Sequence, residues 1–195
     1  VHALLLATRN AHKTREFSEI LGNEFVVRDL SGEQDAPEIE ETGVTFAENA
    51  ILKAIAISRR FPGLVVGDDS GLEVDALDGA PGIYSARYSG PGAKDCENIS
   101  RLLSELHKLS IQGPYSARFL CVLALARDGE LLDTVEGVVE GTIVEPPRGA
   151  GGFGYDPVFQ PAGLAQTFGE VGPETKNRMS HRANAIRLLR AALGE

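Results

Sequence analysis

Asp68, Asp69, Ser70 and Gly71 stand together behind the apolar run Leu64-Val65-Val66. Two adjacent carboxylates repel unless something positive lies beside them, so the pattern suits a hard cation such as Mg²⁺, which takes carboxylate and water oxygens. Leu64 to Val66 read as a short buried strand. Gly71 reads as a tight turn that leaves Asp68, Asp69 and Ser70 at the strand's carboxyl end, where open α/β sheets bind ligands. A polar turn with an aspartate cap explains the same residues, and the segment alone leaves both readings open. No histidine and aspartate are spaced to make Ser70 a nucleophile.

Three further groups carry chemistry. Thr8-Arg9-Asn10-Ala11-His12-Lys13 lies where a first strand hands over to a helix, and a helix N-terminus with Thr8, Asn10 and Lys13 beside it suits a phosphate. It is not a Walker A loop, and Asn10 as a plain helix cap with Lys13 on the surface is the alternative; His12 reads as a solvated helix residue. Gly149 to Gly154 formally match GxGxxG, but Pro146-Pro147 before them and Tyr155-Asp156-Pro157 after them deny the strand and helix that a dinucleotide fingerprint needs. The segment reads as a loop that brings backbone and the Phe153 ring up to a flat ligand, or as a glycine-rich connection packed by Phe153 and Tyr155. Lys176, His181 and Arg182 occupy a polar loop and the opening turn of the last helix, where basic groups oppose the macrodipole unless an anion or a carbonyl binds them. Glu40 and Glu41 stand just before Gly43. On an extended segment they point to opposite sides, so at most one is well placed to join Asp69 on a metal; a solvated acidic edge is the alternative reading.

These groups need elements to hold them. Ala3 to Ala7 form an apolar run of strand length; Asn10 caps a helix with Ala11, Phe17, Ile20 and Leu21 inward, ended by Gly22; Phe25 to Val27 form a second strand. Residues 29–43 are polar and acidic, broken by Pro37 and Gly43, and read as a loop or an irregular strand. Thr45-Phe46-Ala47-Glu48 is a capping box for a helix carrying Phe46, Ala50, Ile51, Ala54, Ile55 and Ile57, stopped by Pro62. A helix from about Asp95 to Leu109 follows a Gly- and Pro-rich stretch. Strands at Ala117–Ala126 and Leu131–Val144 meet at the hairpin signal Asp128-Gly129, and a last helix runs from about Ser180, its N-cap, to Leu193. Strand and helix alternate early and strands cluster late, so the expected class is α/β, a mixed sheet flanked by helices.

The bulk properties narrow the field. The 195 residues suit one domain, with 43% hydrophobic and 24% charged residues as in an ordinary globular protein. A net charge of −9 argues against a general nucleic-acid binder yet admits a polyphosphate substrate if a metal and local lysines offset it. Cys96 and Cys121 are too few for a disulfide framework, so a reducing, cytoplasmic setting is expected. No apolar run has membrane-spanning length, and residues 1–7 lack the flank and cleavage site of a signal peptide.

Six segments in order resemble the inosine triphosphate pyrophosphatase family, also known as Ham1 proteins: Ala7 to Lys13, Glu41 to Ala54, Asp68 to Leu77, Pro81 to Gly90, Gly151 to Phe159 and Ser180 to Ala185. One departure stands out, Arg9 where the family usually has glycine. A positive φ there would strain Arg9, which is expected to point outward. The resemblance implies hydrolysis of ITP, dITP and XTP to the monophosphate and pyrophosphate, an elongated α/β fold of two lobes with a central cleft (1–195, one domain), Mg²⁺ dependence and a homodimer. By the same resemblance, Thr8, Arg9, Asn10, Ala11, His12 and Lys13 form the phosphate segment, with Lys53 and Ser70 nearby. Glu41 and Asp69 bind the metal, and Asp69 takes the proton of the attacking water, its ionisation tuned by Asp68. Phe153 and Gly154 meet the base with Tyr155 and Asp156 shaping the pocket, and Lys176, His181 and Arg182 read the purine edge. The competing readings are a Maf-like pyrophosphatase for other modified nucleotides and a nucleotide-binding module without catalysis.

Overall fold

The structure, a computed structural model, describes residues 2–193. Strand β1 (His2–Leu6), helix α1 (Ala11–Leu21) and strand β2 (Phe25–Arg28) make a β-α-β unit in which β1 and β2 run parallel. Helix α2 (Phe46–Ser58) leads to β3 (Leu64–Val74), which pairs parallel with β1 on its other side. Then come α3 (Asp95–His107), β4 (Tyr115–Arg127), β5 (Glu130–Ile143), β6 (Phe159–Pro161), α4 (Pro173–Met179) and α5 (His181–Ala192). The six strands follow the order β2-β1-β3-β4-β5-β6, and β6 lies antiparallel to β5. This is the mixed, helix-flanked α/β sheet that the hydrophobic pattern predicts.

Local chemistry explains most element ends. Asn10 Oδ1 accepts from the N–H groups of His12 and Lys13 and so caps α1. Thr45 Oγ1 accepts from Glu48 N–H at 3.1 Å, but Glu48 reaches back to Val44 N–H rather than closing the expected box on Thr45. Asp128 and Gly129 take φ of 53° and 83°, as a two-residue hairpin turn of the twisted kind requires.

Two expectations are corrected. Gly71 makes no turn: β3 continues unbroken to Val74, so Asp68, Asp69 and Ser70 sit in mid-strand. The polar stretch before the last helix contains a helix of its own, α4, opened by Pro173 at its first position and separated from α5 by Ser180 in extended conformation.

The chain resolves into two compact units. One comprises the residues up to Asp69, Cys121–Gly137 and those from His181 on. Its core packs Leu4, Leu6, Phe17, Leu21, Val66, Leu123, Ile186 and Leu189, and each such fully buried side chain contributes about 1.5–3 kcal/mol by leaving water. The other comprises Ser70–Leu120 and Val138–Ser180, with Leu72, Leu102, Leu106, Phe119, Phe159 and Phe168 at its centre. The Phe119 and Phe159 rings lie tilted with centroids 4.6 Å apart. Among the described residues no helix is long and apolar enough to cross a membrane.

Candidate active site

Successive residues of a strand face opposite sides of the sheet, and this separates the two aspartates of β3. Asp69 faces α2. Lys53, on the buried side of that helix, places Nζ 3.0 Å from Asp69 Oδ1 and 2.9 Å from Glu41 Oε1. Gly67, two residues before Asp69 and on the same face, lets the helix in: a Cβ there would overlap the backbone oxygen of Ala50 and lie 2.9 Å from Ala54 N. Asp68 faces the other way, toward α1 and α5. Its Oδ1 takes the Lys13 ammonium, its Oδ2 accepts from Arg182 Nε at 2.8 Å, and the Cys121 thiol lies 3.5 Å from Oδ2.

Each adjacent carboxylate therefore has an ammonium of its own within hydrogen-bond reach, Lys13 for Asp68 and Lys53 for Asp69, although the Lys13 charge also bears on Asp69. Burial opposes ionisation of Asp68, but Arg182 and Lys13 overcome it and hold the carboxyl well below the usual aspartate value. Asp69 goes the other way: burial pushes its pKa up and Lys53 only partly offsets it, with Glu41 adding to the rise. The tuning of Asp69 is thus a matter of burial and Glu41, rather than of Asp68 as the sequence suggests. Burial disfavours the Lys53 charge, yet Asp69 and Glu41 together keep its pKa above the ordinary lysine value.

Glu41 turns to Lys53, whereas Glu40 is exposed. Among the described residues no three His, Cys, Asp or Glu side chains form a ready cage for a metal. Mg²⁺ does not need one, since it is held by one or two carboxylates and completes its shell with water and substrate phosphate. Asp69 Oδ2 is buried without a hydrogen-bond partner, an oxygen that a cation or a water would satisfy. The residues fit the ion.

In the segment between β1 and α1, Thr8 Oγ1 accepts from Asn10 N–H at 3.1 Å, and Asn10 Oδ1 is occupied by its cap. Arg9 is exposed, has no positive φ, and donates from Nη2 to Ala36 O at 2.9 Å, so it replaces glycine without strain. Ala11 and His12 are exposed on the first turn of α1. Arg182 is fully buried with its donors on Asp68 and Glu16, and His181 beside it is buried too. The unfavourable basic start of α5 is thus balanced by protein carboxylates, and the expected purine-edge role of Arg182 meets a side chain already engaged.

The second unit organises the glycine-rich loop around Asp156. Asp156 Oδ2 accepts from Phe153 N–H at 2.9 Å and from Lys176 Nζ at 2.6 Å, and the Lys176 ammonium lies 4.7 Å from the Phe153 ring centroid. Gly152, at φ 70°, is required because a Cβ would run into Asp156 Oδ2. Gly154 N–H donates to Asp95 Oδ2 at 2.7 Å. Tyr155 belongs to the core rather than to an open pocket wall, with its hydroxyl on Ser85 O at 2.8 Å. Ser70, half-buried, is the first residue of this unit.

Sequence reasoning missed Glu16, Cys121, Asn49 and Asp95. Glu16 had a signal, since it lies one helical turn from both Lys13 and Ile20 and so on the inner side of α1.

The chain is thus an α/β protein with a parallel β-α-β start, a carboxylate–lysine–carboxylate bridge on a central strand and, in its second unit, a clamped aromatic loop. Residues 4–192 match the Ham1 family, and the chain belongs to it. A Geobacillus kaustophilus protein named dITP/XTP pyrophosphatase is 50% identical over 94% of this chain and 90% of its own length. A Bacillus subtilis protein of the same name is 47% identical over 95% and 93%. Among solved structures, a HAM1 protein from Coxiella burnetii superposes with a TM-score of 0.88 at 39% identity, covering 100% of this chain and 99% of the other. The Ham1 protein of Staphylococcus aureus gives 0.85 at 40%, covering 98% of each.

Proposed function

We propose that the protein is a nucleoside-triphosphate pyrophosphatase that hydrolyses the non-canonical purine nucleotides dITP, ITP and XTP to the monophosphate and pyrophosphate. The observation that carries this reading is the Lys53 bridge, which sets Glu41 and Asp69 side by side and leaves Asp69 Oδ2 without a partner. Asp69, with its pKa raised by burial, is suited to accept a proton from water. That water attacks the α-phosphorus as the bond to the bridging oxygen of the β-phosphate breaks, and pyrophosphate leaves with the electron pair. Mg²⁺ held by Glu41 and Asp69 would supply positive charge to the phosphate oxygens. Lys53 adds a fixed ammonium beside them, and the segment Thr8 to Lys13 with Ser70 supplies phosphate contacts.

Phe153 offers the face for the purine, with Gly154, Asp156 and Lys176 fixing its loop, Tyr155 packed beneath, and His181 and Arg182 opening α5. Hypoxanthine and xanthine present a 6-keto acceptor where adenine presents an amino donor, so donors in the base site favour the first two and are left unpaired by the third. The same reading carries a homodimer working in the cytoplasm on the nucleotide pool, with no role for nucleic acid.

The test is pyrophosphate release from dITP, XTP, GTP and ATP with and without Mg²⁺. Release from dITP and XTP that needs the metal is expected. Release of single phosphate, or equal turnover of all four, would overturn the assignment.

A further inference from the structure

We propose that Asn49 is a positioning residue for the metal-binding pair: its side chain fastens the Glu41 segment to α2, so that Glu41 and Asp69 meet across Lys53. The inference rests on the reading of Glu41 and Asp69 as metal ligands.

Asn49 and Lys53 lie one turn apart on the buried face of α2. Asn49 is wholly buried, and its Oδ1 accepts from Gly43 N–H at 2.8 Å. The next N–H, of Val44, is taken by Glu48 Oε2 at 2.8 Å. Two consecutive peptide groups just after Glu41 are thus held by side chains of the helix that carries Lys53. Gly43 makes the approach feasible, because a Cβ there would lie 2.6 Å from Asn49 Oδ1 and 2.7 Å from Glu48 Cβ. The Glu48 bond is exposed to water, whereas the Asn49 bond is partly buried with a wholly buried side chain as acceptor, so it is the fastening less open to competition from water.

Asparagine is otherwise a poor choice here. It is a weak helix former, and its Nδ2 is buried with no hydrogen-bond partner, a cost that leucine or alanine would avoid. What it gives in return is the fixed end of an otherwise irregular segment. Glu41 has a flexible side chain on a loop, and holding it 2.9 Å from Lys53 costs conformational entropy unless its backbone is already anchored.

The experiment compares Asn49→Ala, Glu41→Gln and the double variant, using Mn²⁺ binding followed by electron paramagnetic resonance and the Mg²⁺ activation constant. Asn49→Ala is expected to weaken both by about tenfold, as loss of a residue orienting a metal ligand does. The nucleotide KM at saturating Mg²⁺ should stay within about twofold, and the double variant should be no worse than Glu41→Gln. Unchanged metal affinity in Asn49→Ala, or additive losses in the double variant, would overturn the proposal while leaving the metal reading intact. Unchanged metal affinity in Glu41→Gln would overturn both. Should Asn49→Ala not fold, Asn49→Asp carries the test: it keeps the acceptor, and its added negative charge can only favour a cation, so a tenfold weakening there would count against the proposal.

Discussion

Gly67 of β3 and Ala50 of α2 meet backbone to backbone, with no room for a side chain between them. The approach sets how far Lys53 stands from Asp69. Gly67→Ala should force the helix outward, destabilise the protein by about 1–3 kcal/mol through overpacking and lower turnover by lengthening the 3.0 Å Lys53–Asp69 contact. Urea melts with steady-state kinetics check this; a variant normal in both would show that the close approach does not set the pair.

Asp69→Asn keeps the shape of the side chain and removes the proton acceptor. A fall in kcat of about 10²–10⁴, the usual contribution of a general base, is expected with nucleotide affinity nearly unchanged. Single-turnover kinetics and calorimetric binding separate the two quantities. Turnover above a tenth of the parent enzyme's would take the base role away from Asp69.

Asp68 is expected to matter for stability. Its folded pKa is depressed by Arg182 and Lys13 against the opposing effect of burial, whereas an unfolded aspartate titrates near about 3.9. The stabilisation is therefore complete above that value and is lost as pH falls through the range between the unfolded and folded pKa values. Asp68→Asn leaves Arg182 and Lys13 without this carboxylate and should cost about 3–5 kcal/mol at neutral pH. It should also flatten the acid side of the stability profile. Thermal melts from about pH 3 to about pH 7 test both statements, and parallel profiles for variant and parent would refute the second.

Phe153→Ala removes the ring that Lys176 covers on the glycine-rich loop. Stacking of a base on an aromatic ring is worth about 1–3 kcal/mol, so KM for dITP should rise by about 5- to 160-fold with a smaller change in kcat. A KM that stays put would place the purine elsewhere.

Much of this was legible in the chain. Asn10 capping α1, the helix carrying Phe46 to Ile57 and the Asp128-Gly129 hairpin follow from local rules of capping, periodicity and turn chemistry. Gly71 misled because glycine marks turns, whereas here it lies in a strand hidden on both faces, where conformational freedom is not used. The partners of the two aspartates were not legible, since the alternation that sends them apart matters only once helices cover each face. Arg182 shows the same limit: the sequence reveals an ill-placed positive charge, but not that Glu16 and Asp68 are the anions that settle it. Asn49 looks like one more helix residue until Gly43 is seen against it.

Arg182 also orders events in time. It is separated from Asp68 by 114 residues and from Glu16 by 166, so a chain leaving the ribosome exposes both acids long before the guanidinium that neutralises them exists. Until α5 emerges, Asp68 has Lys13 as its cation and Glu16 lacks the Arg182 guanidinium. The last helix thus closes, late in the chain, an ion-pair cluster whose acids lie near its beginning and on β3.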